Sequence, residues 1–183
     1  MLSADVYGAS ALDPSARSST AVIGTVSGIA ITKVSTVKQI SIGETVIENV
    51  PADFLTQWHS PQPANIGLPV LSRFTIILDA SRDRMWLKPS HRAARQSFDK
   101  DLSGLGFSVS DRQLEVVHVA DESPAASGGW NVGDHIISIN GHPIDSRYFQ
   151  SRLWRWRYGE LGMNVSLELD DRTIRKLQLK TYY

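Results

Sequence analysis

Two glycine-bearing segments in the second half of the chain hold the residues best suited to binding chemistry. The first, residues 104–107, reads Gly-Leu-Gly-Phe, and its glycines let successive backbone N–H groups converge on one point. Such a nest of N–H groups binds a carboxylate without any cationic side chain. The second, residues 123–144, contains a short apolar strand followed by Asn140-Gly141, a strong signal for a tight turn. Their order and spacing predict a binding site for a peptide.

Short strands and two helices are predicted around these segments. Ser123 is suited to cap a helix that begins with Pro124, and a second helix is predicted over residues 147–158. The apolar patterns predict strands over residues 106–109, 114–119, 136–139, 165–169 and 173–180.

Residues from about 98 to 183 therefore resemble the PDZ family over essentially its full length. Members of that family bind the C-terminal tail or an internal extended segment of a partner as an added strand. The resemblance implies that the N–H groups of Leu105, Gly106 and Phe107 hold the peptide carboxylate. It also implies that Phe107 and Val109 form the exposed edge strand and part of the pocket floor.

The predicted second helix supplies the other wall of the groove in this family. Its groove-facing positions correspond to Phe149, Leu153 and Trp156. Because Phe149 stands where some members have a histidine, we expect a ligand with apolar side chains, including its last one. The alternative is that this stripe is ordinary core, or that Phe149 or Trp156 closes the groove.

Three arginines flank that stripe along the predicted helix. Cationic side chains beside an apolar stripe are usually solvated. We therefore expect all three on the surface; they are Arg152, Arg155 and Arg157.

The first half resembles the end of a retropepsin-like aspartic protease lobe. Residues 65–79 place a short helix ending in Leu-Ser-Arg-Phe before a strand, and residues 84–89 form a final strand after a charged turn. Upstream, residues 40–51 fit the hairpin of such a lobe. Lobes of this kind fused ahead of a PDZ module form a bacterial family, and the chain resembles its C-terminal portion.

The chemistry of that protease class is missing from the sequence. Aspartic proteases need two carboxylates sharing a proton, each on an Asp-Thr-Gly or Asp-Ser-Gly loop. Neither motif occurs, and Asp5 and Asp13 lack the glycine turn. We expect no catalytic residue and no protease activity in the chain as written, which would begin downstream of the catalytic loop.

Three functions remain open after this reading. The first is a peptide-binding module beside a catalytically incomplete lobe. The second is a fragment of a bacterial aspartic endopeptidase whose PDZ domain delivers substrate. In the third, the β-lobe is a homodimerisation platform.

The predicted fold is mainly β, an incomplete retropepsin-like β-lobe followed by a PDZ β-sandwich with two helices. We place the lobe at residues 1–90, with 1–20 irregular, a linker at 91–97 and the PDZ domain at 98–183. The lengths of the two parts allow each to bury a core.

Composition excludes several partners and sites. Nineteen basic and 19 acidic residues give a net charge of zero, which argues against a nucleic-acid partner. No apolar run is long enough to span a bilayer, and the N-terminus lacks a signal-peptide pattern. The sequence thus predicts a soluble protein of unknown compartment, extracytoplasmic if the true N-terminus lies upstream.

No metal or cofactor is predicted. The absence of cysteine excludes disulfides, thiolate metal sites and cysteine nucleophiles. The histidines show no metal-ligand spacing; they are His59, His91, His118, His135 and His142.

Overall fold

The computed structural model describes residues 1–3, 16–25, 28–56, 61–90 and 97–183. Within them the fold is mainly β, as the sequence predicts. In chain order the strands are β1 (Leu2–Ser3), β2 (Ser18–Thr25), β3 (Gly28–Ile42), β4 (Thr45–Leu55), β5 (Phe74–Asp79), β6 (Arg84–Pro89), β7 (Leu105–Val109), β8 (Leu114–Val119), β9 (His135–Ile139), β10 (His142–Pro143), β11 (Asn164–Leu169) and β12 (Ile174–Gln178). The helices are α1 (Leu68–Leu71), α2 (Pro124–Ser127) and a 3₁₀ helix (Leu153–Tyr158).

The chain divides into two compact units. The first comprises Met1–Ala16 and Ser35–Phe98, and the second comprises Arg17–Val34 and Asp99–Tyr183. The predicted boundaries differ from this division mainly for Arg17–Val34, which groups with the second unit. Residues 91–96 of the predicted linker lie outside the described residues.

The first unit contains β1, β4 and the second half of β3 in one sheet, and the hairpin of β5 and β6 in another. A turn at residues 43–44 joins β3 to β4 within the segment predicted to form a hairpin, and α1 is the predicted short helix. Proline at the start of α1 suits a first turn because its missing N–H has no helical partner there. The core of this unit consists of Val37, Ile47, Val50, Ala52, Phe54, Val70 and Phe74.

The second unit is built on a sheet with the strand order β12-β11-β9-β8-β7, to which β10 adds beside β9. Neighbouring strands run antiparallel. Alternate apolar positions of these strands point to one face, so they form a single core. Its most deeply buried side chains are Leu105, Leu114, Val116, Ile136, Ile139, Val165, Leu167, Leu177 and Leu179.

Local sequence signals are confirmed at a cap and at a turn in this unit. The Ser123 hydroxyl accepts a hydrogen bond from the Ala126 N–H at 3.2 Å and caps α2, which begins with Pro124. Asn140 and Gly141 both adopt positive φ and connect β9 to β10. The strand boundaries predicted for this half agree within a few residues with β7, β8, β9, β11 and β12.

The predicted helix over residues 147–158 is wrong in its first half. Only Leu153–Tyr158 is helical, and it is a 3₁₀ helix. The preceding turns are held by side chains: Asp145 accepts from the Arg147 N–H at 2.8 Å, and the Ser151 hydroxyl both donates to the Tyr148 carbonyl and accepts from the Leu153 N–H. Such local bonds offer the backbone an alternative to the helix.

Strand β2 belongs to the second unit. The prediction that residues 1–20 are irregular is wrong at β1 and from Ser18 onward, and residues 4–15 lie outside the described residues. The Ser19 hydroxyl donates to the Asp121 carbonyl at 2.6 Å, and the Asp121 N–H donates to the Thr20 hydroxyl at 3.3 Å. A Cβ added at Gly106 would overlap a methyl group of Val22. The bare backbone of Gly106 therefore lets β2 approach β7.

Gly106→Ala is expected to lower the free energy of unfolding by about 1–3 kcal/mol, because the new methyl forces β2 and β7 apart. Val22→Ala removes the methyl group that it would meet. The double variant should therefore be more stable than the sum of the single effects predicts. Urea unfolding of the four proteins measures this coupling, and strictly additive effects would contradict the contact.

Candidate functional site

Strand β7 is the edge of its sheet among the described residues. The Gly104 carbonyl, just before β7, accepts from the Ala120 N–H at 2.8 Å, and the Ser110 N–H, just after β7, donates to the Gln113 carbonyl at 3.0 Å. The backbone polar groups of Gly104 and Ser110 therefore point toward the β8 side of β7. Along a strand, the N–H and carbonyl groups of successive residues point alternately to its two sides. The residues whose N–H and carbonyl groups face away from β8 are consequently Leu105, Phe107 and Val109.

The register irregularity after Gly106 does not disturb this alternation. Gly106 pairs with His118 and Phe107 pairs with Val116, so the extra residue, Val117, lies in β8. The β7 backbone thus presents a continuous row of outward polar groups, the feature by which an edge strand accepts another strand.

The side chains of β7 divide between two faces. Leu105 is buried in the core, and the Phe107 ring packs against Trp156, with centroids 5.9 Å apart. Gly106 has the opposite orientation and faces Val22 of β2. Strand β2 therefore contacts the face of β7 opposite to the 3₁₀ helix.

The structure does not bring the three predicted groove residues of the helix to one surface. Trp156 is buried in the core, where its indole N–H donates to the Tyr148 hydroxyl at 3.3 Å. Leu153 is half-buried and packs on the same core. Phe149 is 67% exposed, with its ring against Tyr148. Because the helix starts only at Leu153, the spacing that would align Phe149 with the other two is lost.

A carboxylate that the sequence analysis missed fills the loop before β7. One oxygen of Asp101 accepts from the Ser103 N–H at 2.6 Å, the Ser103 hydroxyl at 2.7 Å and the Gly104 N–H at 3.2 Å. The Ser103 hydroxyl in turn accepts from the Leu105 N–H at 3.1 Å. The N–H group of Leu105, predicted to hold a ligand carboxylate, is therefore already paired inside the loop. An aspartate two residues before a serine is typical of such turns and was the available signal.

Arg157 joins the 3₁₀ helix to this loop, and the prediction that it is solvated is wrong. Its side chain is 23% exposed and forms an ion pair with the second oxygen of Asp101. The guanidinium also donates to the Leu105 carbonyl at 2.7 Å and lies 5.3 Å from the Phe107 ring centroid. Burial lowers the pKa of the Arg157 guanidinium from its ordinary value.

The buried hydroxyl of Tyr148 is expected to make the folded protein less stable at alkaline pH. Burial raises the pKa of its hydroxyl from 10.0 to about 12. Below pH 10 the Tyr148 hydroxyl is neutral in both the folded and the unfolded chain. Between pH 10 and 12 it is ionised in the unfolded chain but still neutral in the folded one. We expect this to lower the free energy of unfolding by up to about 2–3 kcal/mol.

Urea unfolding between pH 9 and 11.5 checks the expectation, with Tyr148→Phe as the variant that has no proton to lose. The wild type should lose stability more steeply than the variant across this range. Equal slopes would show that Tyr148 titrates alike in both states.

Within the described residues no group of three or more His, Asp or Glu side chains is placed to hold a metal ion. His59 and His91 lie outside those residues. No described helix is long and apolar enough to cross a membrane.

Comparison with known families identifies the second half of the chain. Residues 103–177, which include β7 and the 3₁₀ helix, match the family model of the PDZ domain. Residues 103–177 are a PDZ domain. The sequence-based assignment of this half is thereby confirmed over the matched residues.

The PDZ-containing chain is also similar in structure to an HtrA-type protease, AlgW, solved with a decapeptide. The identity is 12% and the TM-score 0.41, over 90% of this chain and 59% of that chain. This protein thus spans little more than half the length of that structure. No curated protein matches the sequence.

Proposed function

We propose that the PDZ domain binds an extended peptide segment by adding it as a strand to β7. The observation that supports this most is the outer edge of β7, which has no partner strand among the described residues and carries the outward backbone groups of Phe107 and Val109. Main-chain hydrogen bonds to such an edge supply affinity for any extended segment, and side-chain pockets then select its sequence.

The side chains beside this edge favour an apolar ligand. Val109 is 36% exposed, and Phe107 of β7 and Leu153 of the 3₁₀ helix are half-buried and pack on the core of the domain. Alternate side chains of an added strand point to the same face. Every second side chain of the bound segment would therefore lie over these apolar groups, and we expect valine, leucine or phenylalanine at those positions.

Val109→Pro tests strand addition at this edge. Proline removes the outward N–H of residue 109, while edge strands tolerate proline where the N–H has no partner in the sheet. We expect a decapeptide selected on the full-length protein by phage display to lose at least about tenfold in affinity for this variant. Val109→Ala keeps the N–H and is the matched control.

Fluorescence anisotropy of the labelled peptide measures both affinities, with circular dichroism as the check on folding. If the proline variant stays folded and binds as tightly as the alanine variant, the ligand does not pair with β7. If no peptide is selected from the library, peptide binding itself is contradicted.

The resemblance of the first unit to an aspartic protease lobe stays a prediction, and so does a homodimer through that lobe. The enzyme alternative would need a catalytic aspartate loop upstream of Met1, and the dimer is tested by the mass of the protein in solution.

A further inference from the structure

The loop that would receive the end of a peptide is partly filled by groups of the chain itself. Of the N–H groups predicted to hold a peptide carboxylate, that of Leu105 already donates to the Ser103 hydroxyl. The two N–H groups just before β7, those of Ser103 and Gly104, donate to Asp101. A nest of backbone N–H groups is a carboxylate site. Here the carboxylate in it is the side chain of Asp101.

The charge of this loop is also balanced internally. The cation that contacts the loop is Arg157, and it already pairs with Asp101. The next ion pair along the helix, Arg155 with Asp99, is likewise complete. A ligand carboxylate entering the loop would meet the negative charge of Asp101 at a side chain only 13% exposed. Like charges at a poorly solvated site repel strongly.

The first outward carbonyl of the edge is occupied as well. Arg157 donates to the Leu105 carbonyl at 2.7 Å, and the Leu105 N–H is bonded to Ser103. An added strand would therefore find the Leu105 N–H already used and would share the Leu105 carbonyl with Arg157. Its pairing with β7 begins at Phe107 and continues to Val109.

From this self-filled loop we infer that the PDZ domain selects an internal extended segment and does not recognise a free C-terminal carboxylate. The inference rests on the proposed function, since it concerns the ligand of the same β7 edge. A segment that continues past Phe107 in both directions forms the strand bonds without entering the loop. The Asp101–Arg157 pair thus acts as a specificity determinant against peptide termini.

Two phage libraries of random decapeptides distinguish this inference from the proposed function. One displays each decapeptide at a free C-terminus and the other between flanking residues, and both are selected on the full-length protein. We expect enrichment from the flanked library. Enrichment from the free-terminus library alone would overturn the inference while leaving peptide binding intact, and enrichment from neither would overturn the proposed function.

A chosen decapeptide is then synthesised as the free acid, as the amide and with two added glycines. The three forms should bind the wild type within about twofold of one another. A preference for the free acid of about tenfold or more would overturn the inference even if both libraries were enriched.

Asp101→Ala provides the matched gain of function. It vacates the N–H groups of Ser103 and Gly104 and removes the ion-pair partner of Arg157, which keeps its hydrogen bond to the Leu105 carbonyl. We expect this variant to bind the free acid at least about tenfold more tightly than the amide. Equal binding of acid and amide by a folded variant would show that Asp101 does not exclude the carboxylate, and the wild-type comparison decides the question if the variant fails to fold.

Discussion

Gly104→Ala is expected to lower the free energy of unfolding by about 2–5 kcal/mol. Gly104 has φ of +76°, a conformation that costs an alanine about 1–2 kcal/mol. In addition, the new methyl group would overlap the side chain of Ser123, which is 1% exposed and caps α2. The backbones of Gly104 and Ser123 cannot easily move apart, because both are hydrogen-bonded to Ala120. Overpacking at such a site adds about 1–3 kcal/mol.

Gly129→Ala separates the two contributions. Gly129 has nearly the same φ, +72°, but nothing lies within 4 Å of the position of an added Cβ. Its substitution should therefore cost only the backbone term of about 1–2 kcal/mol. Urea unfolding of both variants measures the difference. Equal losses would show that the loop yields to the methyl group, and that the loop before β7 is less rigid than its contacts indicate.

Arg157→Met is expected to lower the free energy of unfolding by about 2–4 kcal/mol. Removing one partner of a buried ion pair leaves the other charge unpaired, which typically costs about 3–5 kcal/mol. Asp101 keeps its three hydrogen bonds within the loop, and the side chain of Arg157 is 23% exposed, so we place the loss somewhat lower. Methionine preserves an apolar stem against Phe107, so the loss reports mainly on the charge and its hydrogen bonds.

Arg155→Met is the matched control, two residues away in the same 3₁₀ helix. The ion pair between Arg155 and Asp99 is exposed, with 47% and 56% of the two side chains accessible. Exposed pairs contribute about 0–1 kcal/mol, and the control should lose no more than that. Thermal or urea unfolding of the two variants side by side compares them. Equal losses of unfolding free energy in the two variants would show that Arg157 is as solvated as Arg155, and would contradict its hydrogen bond to the Leu105 carbonyl.

Local signals in the sequence anticipated much of the PDZ domain. The cap at Ser123, the turn at Asn140-Gly141 and the alternation of β8 and β9 depend on residues close together in the chain. Their conformations follow from side-chain sterics and short-range hydrogen bonds, which depend only on residues that are near one another in the sequence. The same holds for Phe107 and Val109, which lie on the edge strand as expected from the motif.

The predicted second helix fails because two local preferences compete there. An apolar stripe at helical spacing favours a continuous helix, whereas Asp145 and Ser151 bond to nearby backbone and favour turns. The sequence contains both signals, and local preferences alone do not show which of them determines the conformation. In the fold, Trp156 reaches the core, and Phe149 remains 67% exposed.

By itself the sequence determined a mainly β protein with a PDZ domain in its second half and the position of that domain's edge strand. Tertiary structure alone decided the state of the loop before the edge. Asp101 and Arg157 are separated by 56 residues, and Val22 meets Gly106 across an even longer stretch of chain. Side chains so far apart in sequence carry no local pattern that links them. Whether an arginine is solvated or paired in a loop is therefore fixed only when the sheet and the helix pack together.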